Sequence, residues 1–229
     1  MNKIKNLYLE EYEKWLKELW SFDFDWKASS WPISNWIWIV FDSKKDLSKV
    51  KAIVIWEAPG KEETVNLCPF FGQAWKNLRE NLENDNNFYI TNSIKFRPIE
   101  KTDSGYKNRT PSKQETKFSS TYLKKELEYL QTLWIKNILL VWNKALETMI
   151  FIAEKYNWKT ILNLEEISLK NLKKKKTSDI INSEIIFEIE WKKYETYLIF
   201  HTSPLNYNKK DKKESIKLWL KEFQTKIKS

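Results

Sequence analysis

Three side chains at the ends of apolar, strand-length runs are of types that could bind or activate a ligand. His201 is the only histidine, and it follows an apolar run of strand length at residues 197–200. Asn92 ends a second such run, and its carboxamide offers both a donor and an acceptor. Glu57 follows a third run, where it could orient a water molecule or bind backbone amides. Together they could hydrogen-bond to a ligand edge and stabilise charge on it.

The elements that must position these side chains alternate between strand and helix. Apolar runs predict strands at 51–55, 88–94, 137–141 and 194–200, with a hairpin partner at 185–189. Amphipathic segments predict helices at 3–20, 72–84, 112–131, 143–156 and 211–227. Residues 21–50 and 98–112 are predicted to be irregular. This alternation favours right-handed crossovers, and we expect an α/β fold of three layers with a central, mainly parallel, four-stranded sheet.

Ligand sites in such sheets lie at the carboxyl ends of the strands. The segments just past those ends are 57–60, 92–97, 201–205 and the position of Asn143, so we expect them to converge. The chain shows neither repeats nor a linker and is predicted to be one domain over 1–229. Its parts are an N-terminal helix with an irregular lead-in (1–50), a motif-bearing core (51–207) and a C-terminal helix (208–229).

Composition narrows the class of protein. The net charge of +9 suits a polyanionic partner such as nucleic acid, although a lysine-rich genome would produce the same balance. The sequence lacks a run of 18 apolar residues, which excludes a transmembrane helix, and its charged start lacks a secretory signal. Cys68 is the only cysteine, which excludes a disulfide framework and an all-cysteine metal site. We therefore expect a cytoplasmic protein without a membrane partner.

Five segments, in this order, resemble the motifs of the uracil-DNA glycosylase superfamily. They are 56–60 (WEAPG), 69–72 (PFFG), 89–98 (YITNSIKFRP), 108–111 (NRTP) and 201–205 (HTSPL). The likeness is greatest to the family 4 branch and covers about residues 50–207. It implies a monomeric DNA-repair hydrolase that flips uracil out of DNA and hydrolyses its N-glycosidic bond, leaving an abasic site. The alternative is an inactive relative that binds nucleic acid, because Ala58 stands where the best-known branch has its water-activating aspartate.

The resemblance also implies roles for individual residues. His201 would donate a hydrogen bond to the uracil oxygen as negative charge develops on the leaving base. The other catalytic candidates are Glu57 and Asn108, either of which could position water. The candidates for binding uracil are Phe70, which would stack on the base, Asn92, which would read its edge, and the backbone amides of Ala58 and Gly60.

The resemblance assigns a further set of residues to DNA. The loop of Ser203, Pro204 and Leu205 would press into the minor groove, with Leu205 filling the gap left by the flipped base. The candidates for phosphate contact are Lys95, Arg97 and Arg109. For the lysine, an ordinary solvated surface position is the alternative.

A second departure from the family pattern, besides Ala58, concerns metal. Family 4 members usually bind an iron–sulfur cluster through four cysteines. This chain has Phe96 at one of those positions and residues 118–120 (FSS) around another, and residues 1–50 contain no cysteine. We predict that the protein has neither a cluster nor another cofactor, and that Phe96 and Phe118 fill the space as core.

A third departure concerns glycine. The chain has 13 Trp and 3 Gly, 16 in all, which is close to the usual glycine share of about 7 %. The resemblance puts Trp56, Trp75 and Trp142 at glycine positions of the family. Trp134 and Trp158 stand where a glycine would end a helix. We hypothesise that the gene uses UGA for glycine and that the sequence was translated with UGA as tryptophan; a natural, Trp-rich divergent protein is the alternative.

Overall fold

The computed structural model describes residues 46–66, 72–163, 165–181, 183–189 and 192–228. The predicted helix at 3–20, most of the predicted lead-in, and Phe70 with Cys68 lie outside the described residues. Within them the strands are β1 (Ala52–Trp56), β2 (Phe88–Asn92), β3 (Ile99–Thr102), β4 (Gly105–Asn108), β5 (Asn137–Val141), β6 (Lys159–Leu162), β7 (Glu165–Glu166), β8 (Glu184–Ile189) and β9 (Lys192–Ile199). The α-helices are α1 (Lys61–Asn66), α2 (Gln73–Arg79), α3 (Lys113–Thr132), α4 (Asn143–Lys155), α5 (Leu169–Lys174), α6 (Thr177–Ile180), α7 (Pro204–Tyr207) and α8 (Lys210–Lys226).

The main sheet has a parallel half and an antiparallel half. Its strand order is β2-β1-β5-β9-β8-β6-β7, and the first four strands pair in parallel. The predicted α/β fold with a mainly parallel central sheet is confirmed, but the sheet has seven strands rather than four. The extra strands arise because β8 returns antiparallel to β9 and β6 then pairs with β8. β6 and β7 are short and partly polar, so their sequences carry little strand signal.

Alternate residues of the parallel strands supply two separate cores, one on each face of the sheet. Ile53 and Ile55 of β1 lie in a cluster with residues of α3 and α4. Ala52 and Val54 lie in a cluster with residues of α2 and α8 on the other face. This follows from the two-residue period of a strand, and it gives the three predicted layers.

The predicted loop at 98–112 contains structure that the sequence did not indicate. β3 and β4 form an antiparallel hairpin there, and Gly105 at its turn has φ of 122°, a conformation that glycine adopts easily. α3 then begins after a capping box, in which the Ser112 hydroxyl accepts from the Glu115 amide and the Glu115 carboxylate accepts from the Ser112 amide. The hairpin and the cap bring Asn108 and Arg109 back towards the sheet edge.

The tryptophans expected at helix ends differ in backbone conformation. Trp134 follows α3 with φ of 64°. After α4, however, the positive φ of 55° belongs to Asn157, and Trp158 is the next residue, buried and stacked on Tyr194. The prediction that Trp158 occupies a position that needs glycine is therefore wrong, because Asn157 already supplies the left-handed turn. In the part of the chain described, none of the helices combines the length and apolar character that crossing a bilayer requires.

Candidate active site

A cavity of about 440 Å³ lies at the carboxyl ends of β1, β2 and β9. The site residues predicted from the sequence that line it are Glu57, Ala58, Gly60, Asn92, Asn108, Arg109, His201 and Pro204. Three of the four segments expected to converge therefore do so. The exception is Asn143, which lines a separate groove along α3 and α4 instead.

Backbone hydrogen bonds hold the ends of β1 and β2 in register at the cavity. The Ser93 amide donates to the Trp56 carbonyl at 2.7 Å, and the Ile94 amide donates to the Glu57 carbonyl at 2.9 Å. The Ser93 hydroxyl also donates to the Glu57 carbonyl at 2.8 Å. Asn92 is buried beside these bonds, and its position is fixed by the sheet rather than by a mobile loop.

Glu57 is half-buried at the cavity wall. Burial raises the pKa of its carboxyl, Lys144 opposes this by lowering it, and Glu147 adds a smaller rise. A carboxylate with a raised pKa is a stronger base than one in water, which suits a group that orients or activates water.

An N–H group is directed at each ring nitrogen of His201, but a neutral imidazole can accept a hydrogen bond at only one of them. The Ser203 amide donates to Nδ1 at 3.0 Å, and the Trp56 indole Nε1–H points at Nε2 at 3.1 Å. Burial lowers the pKa of His201 to about 4, so the imidazole is neutral near pH 7. A neutral imidazole has one acceptor nitrogen and one N–H donor. The backbone bond to Nδ1 selects the tautomer with its proton on Nε2, and that proton then faces the indole N–H.

Gly60 and Asn108 line the cavity, and the amide of the first and the side-chain oxygen of the second are already hydrogen-bonded. The Gly60 amide donates to the Glu63 carboxylate at 2.9 Å, so a base that used this amide would have to displace Glu63. A Cβ at Gly60 would lie 2.8 Å from Oε2 of Glu63, so a larger residue here would require the Glu63 side chain to move. The Asn108 side-chain oxygen accepts from Arg97 Nε at 2.6 Å, which places the guanidinium of Arg97 next to a residue that lines the cavity. Arg97 is partly exposed, as a phosphate contact requires.

The phosphate contact predicted for Lys95 is wrong, because its side chain is fully buried. Its ammonium forms an ion pair with Glu126 of α3 at 2.5 Å and donates to the Thr91 hydroxyl at 2.8 Å. Burial lowers the pKa of Lys95, and the Glu126 carboxylate opposes that shift. The sequence did carry a signal, since Lys95 stands between two apolar residues and Glu126 lies on the apolar face of α3.

Arg109, another residue predicted to contact phosphate, forms an ion pair within the protein. Its two terminal nitrogens donate to the Glu115 carboxylate at 2.7 Å each, and its Nε donates to the Ile99 carbonyl at 3.0 Å. This fork-shaped pair raises the pKa of Arg109. Arg109 therefore fixes the start of α3 against the hairpin, while its side chain is 25 % exposed and its contact with phosphate stays a prediction.

The loop after His201 is anchored on one side and exposed on the other. Thr202 is buried, its hydroxyl donates to the Ala74 carbonyl at 2.7 Å, and its carbonyl accepts from the Asn77 amide group at 2.8 Å. Pro204 starts α7, and the next residue, Leu205, is 77 % exposed. Asn77 is a positioning residue that the sequence did not reveal, since nothing local marks a buried asparagine on a helix.

The two cluster-ligand positions that lie among the described residues, at Phe96 and around Phe118, do not fit a metal site. Phe96 and Phe118 are both buried and belong to the same apolar cluster. On α3, Phe118 is followed by the buried Ser119 and Ser120, and the Ser119 hydroxyl accepts a hydrogen bond from the Lys95 amide. Within the described ranges, His, Cys, Asp and Glu side chains form no group of three or more that could hold a metal ion.

A family model described as the uracil DNA glycosylase superfamily matches residues 45–224. The chain belongs to this superfamily. The match spans every motif named above and covers the whole parallel half of the sheet. The membership predicted from the five motifs is thereby confirmed.

The superfamily assignment agrees with a comparison with curated proteins. The chain is 27 % identical over 165 residues to the type-4 uracil-DNA glycosylase of Archaeoglobus fulgidus, covering 69 % of this chain and 68 % of that protein. The predicted likeness to the family 4 branch is thus confirmed as well. As a member of the superfamily, the protein is assigned to the hydrolases of DNA repair at the level of the family.

Proposed function

We propose that this protein is a uracil-DNA glycosylase that works without an iron–sulfur cluster or other cofactor. The observation that supports this best is the common cavity of His201, Asn92 and Glu57 at the sheet edge. A flipped pyrimidine needs a carboxamide to read its edge and a donor for the oxygen on which charge accumulates. Asn92 and the Nε2–H of His201 would supply these two groups.

Each step of the reaction has a candidate group in this chain. Leu205 would fill the space left in the duplex, and its 77 % exposure leaves it available to do so. The bond from sugar to base then breaks, the base leaves as an anion, and His201 stabilises that anion. Water adds to the sugar carbon, and the proton that it loses neutralises the departing base anion. Glu57, whose pKa is raised by burial, is our candidate to orient that water, and Asn108, which lines the same cavity, is the second candidate.

Incubation with uracil-containing oligonucleotides, followed by hot alkali, tests this proposal. We expect cleavage at the uracil position of single- or double-stranded substrate, since alkali breaks the chain at an abasic site. The matched control is the same oligonucleotide with thymine in place of uracil. Absence of cleavage in both substrates, from a folded protein carrying glycine at position 56, would rule out the proposal.

A second candidate function is that of an inactive relative that binds nucleic acid. Two features favour it, namely Ala58 in place of a carboxylate and the indole of Trp56 at the His201 ring nitrogen. An inactive relative would bind the uracil oligonucleotide, as measured by fluorescence anisotropy, but alkali treatment would then produce no cleavage. The net charge of +9 would support binding under either function.

A further inference from the structure

We propose that the working form of this protein carries glycine at positions 56, 134 and 142, and that Trp56 as written blocks the active site by capping His201. This proposal rests on the proposed function only where it states that Trp56 slows the release of uracil. The backbone evidence at positions 134 and 142 is independent of any activity.

Trp134 occupies a helix end built for glycine. The Ile135 amide donates to the Leu130 carbonyl at 3.1 Å, and the Trp134 amide donates to the Gln131 carbonyl at 2.9 Å. This pair of bonds defines a Schellman motif, whose C′ residue is left-handed and is usually glycine. Trp134 has φ of 64°, and its side chain is 87 % exposed, so little packing compensates for the conformation.

Trp142 lies in a more restrictive conformation. It stands between β5 and α4 with φ of 77° and ψ of 170°, a region essentially confined to glycine. Its amide donates to the Ile199 carbonyl at 3.0 Å, so the sheet holds the backbone there. Among the residues that the structure describes, positive φ otherwise occurs at Gly105, Asn157 and Asn163, and asparagine tolerates it better than other non-glycine residues.

Trp56 has ordinary backbone geometry, and its side chain is what conflicts with function. The indole lines the cavity and lies edge-on to His201, with ring centres 5.7 Å apart. Its N–H is directed at Nε2, the atom whose proton would be donated to the base. With glycine at 56, Nε2–H would face the cavity, while the Ser203 amide would still select the tautomer. Trp75 packs against Trp56 in the same cavity, but its helical backbone gives no separate argument.

The gene is the most direct test. We expect UGA codons at positions 56, 134 and 142. UGG at these three positions would overturn the proposal, because UGG encodes tryptophan in either code.

Stability measurements test positions 134 and 142 without reference to activity. We expect W134G and W142G each to raise Tm by about 2–4 °C or more, as expected for removal of left-handed strain from a domain of this size. The matched controls are W134A and W142A, which also delete the indole but retain a Cβ. If the alanine variants gain as much as the glycine variants, the backbone requirement is refuted.

The single histidine allows NMR to test position 56. In the W134G/W142G background, whose added stability offsets the lost packing, we expect W56G to raise the His201 pKa by at least one unit from about 4. W56F keeps a buried ring and should leave the pKa low. An unchanged titration in W56G would overturn the block at the active site.

Excision assays on the same variants separate this proposal from the proposed function. We expect W56G to release uracil at least tenfold faster than the chain with Trp56. If the NMR and stability shifts occur and no variant releases uracil, the glycine assignment stands and the glycosylase function fails.

Discussion

Replacing His201 with alanine is expected to slow uracil excision by about 10²-fold or more in a protein that carries glycine at position 56. A donor aimed at the developing negative charge contributes this order of magnitude when water is excluded. The imidazole acts as a neutral N–H donor, because burial keeps its pKa near 4 and the Ser203 amide fixes the proton on Nε2. Single-turnover release of uracil from a labelled oligonucleotide measures the rate.

The control for this prediction is His201→Gln. The glutamine amide N–H extends part of the way towards the uracil oxygen to which His201 would donate. We expect it to recover some of the lost rate, while both variants keep the melting temperature of the parent within a few degrees. An unchanged rate in His201→Ala would remove His201 from the mechanism. An equal loss in both variants, accompanied by a fall in Tm, would indicate a structural role for the ring instead.

Replacing Lys95 with methionine is expected to destabilise the fold by about 3–5 kcal/mol, because it leaves the Glu126 carboxylate buried without its ion-pair partner. The pair joins the segment after β2 to α3, and that segment connects Asn92, the last residue of β2, to Arg97. We therefore expect the loss of stability to be accompanied by weaker binding of DNA. Urea unfolding followed by circular dichroism measures the free energy of unfolding.

The double variant Lys95→Met/Glu126→Leu should recover most of the lost stability, since it removes both charges and leaves apolar groups of similar size. The exposed pair of Lys107 and Glu100 provides the matched control, with side chains 64 % and 47 % exposed. Lys107→Met should change the free energy of unfolding by less than about 1 kcal/mol. Equal effects of Lys95→Met and Lys107→Met would show that the buried pair has no special structural role.

The sequence determined the parallel half of the sheet and the family. The apolar runs at β1, β2, β5 and the carboxyl-terminal end of β9 are nearly continuous because both faces of a parallel sheet are covered, and this pattern is visible without coordinates. The polar residues that follow β1, β2 and β9 converge because parallel strands end at one edge. The excess of tryptophan over glycine is likewise a property of the sequence alone.

Only the tertiary structure decided which charged side chains face solvent and which backbone positions are left-handed. Lys95 stands between two apolar residues, which indicates burial, but its partner Glu126 is 31 residues away on α3, so the sequence does not identify the ion pair. Arg109 pairs with Glu115, six residues further along the chain, because the capped start of α3 brings the carboxylate back to it. Trp134 and Trp158 look equivalent in the sequence, but hydrogen bonding at the two helix ends puts the positive φ on Trp134 in one case and on Asn157 in the other. The indole of Trp56 and the imidazole of His201 are 145 residues apart in the chain, and they meet because β1 and β9 flank the same central strand.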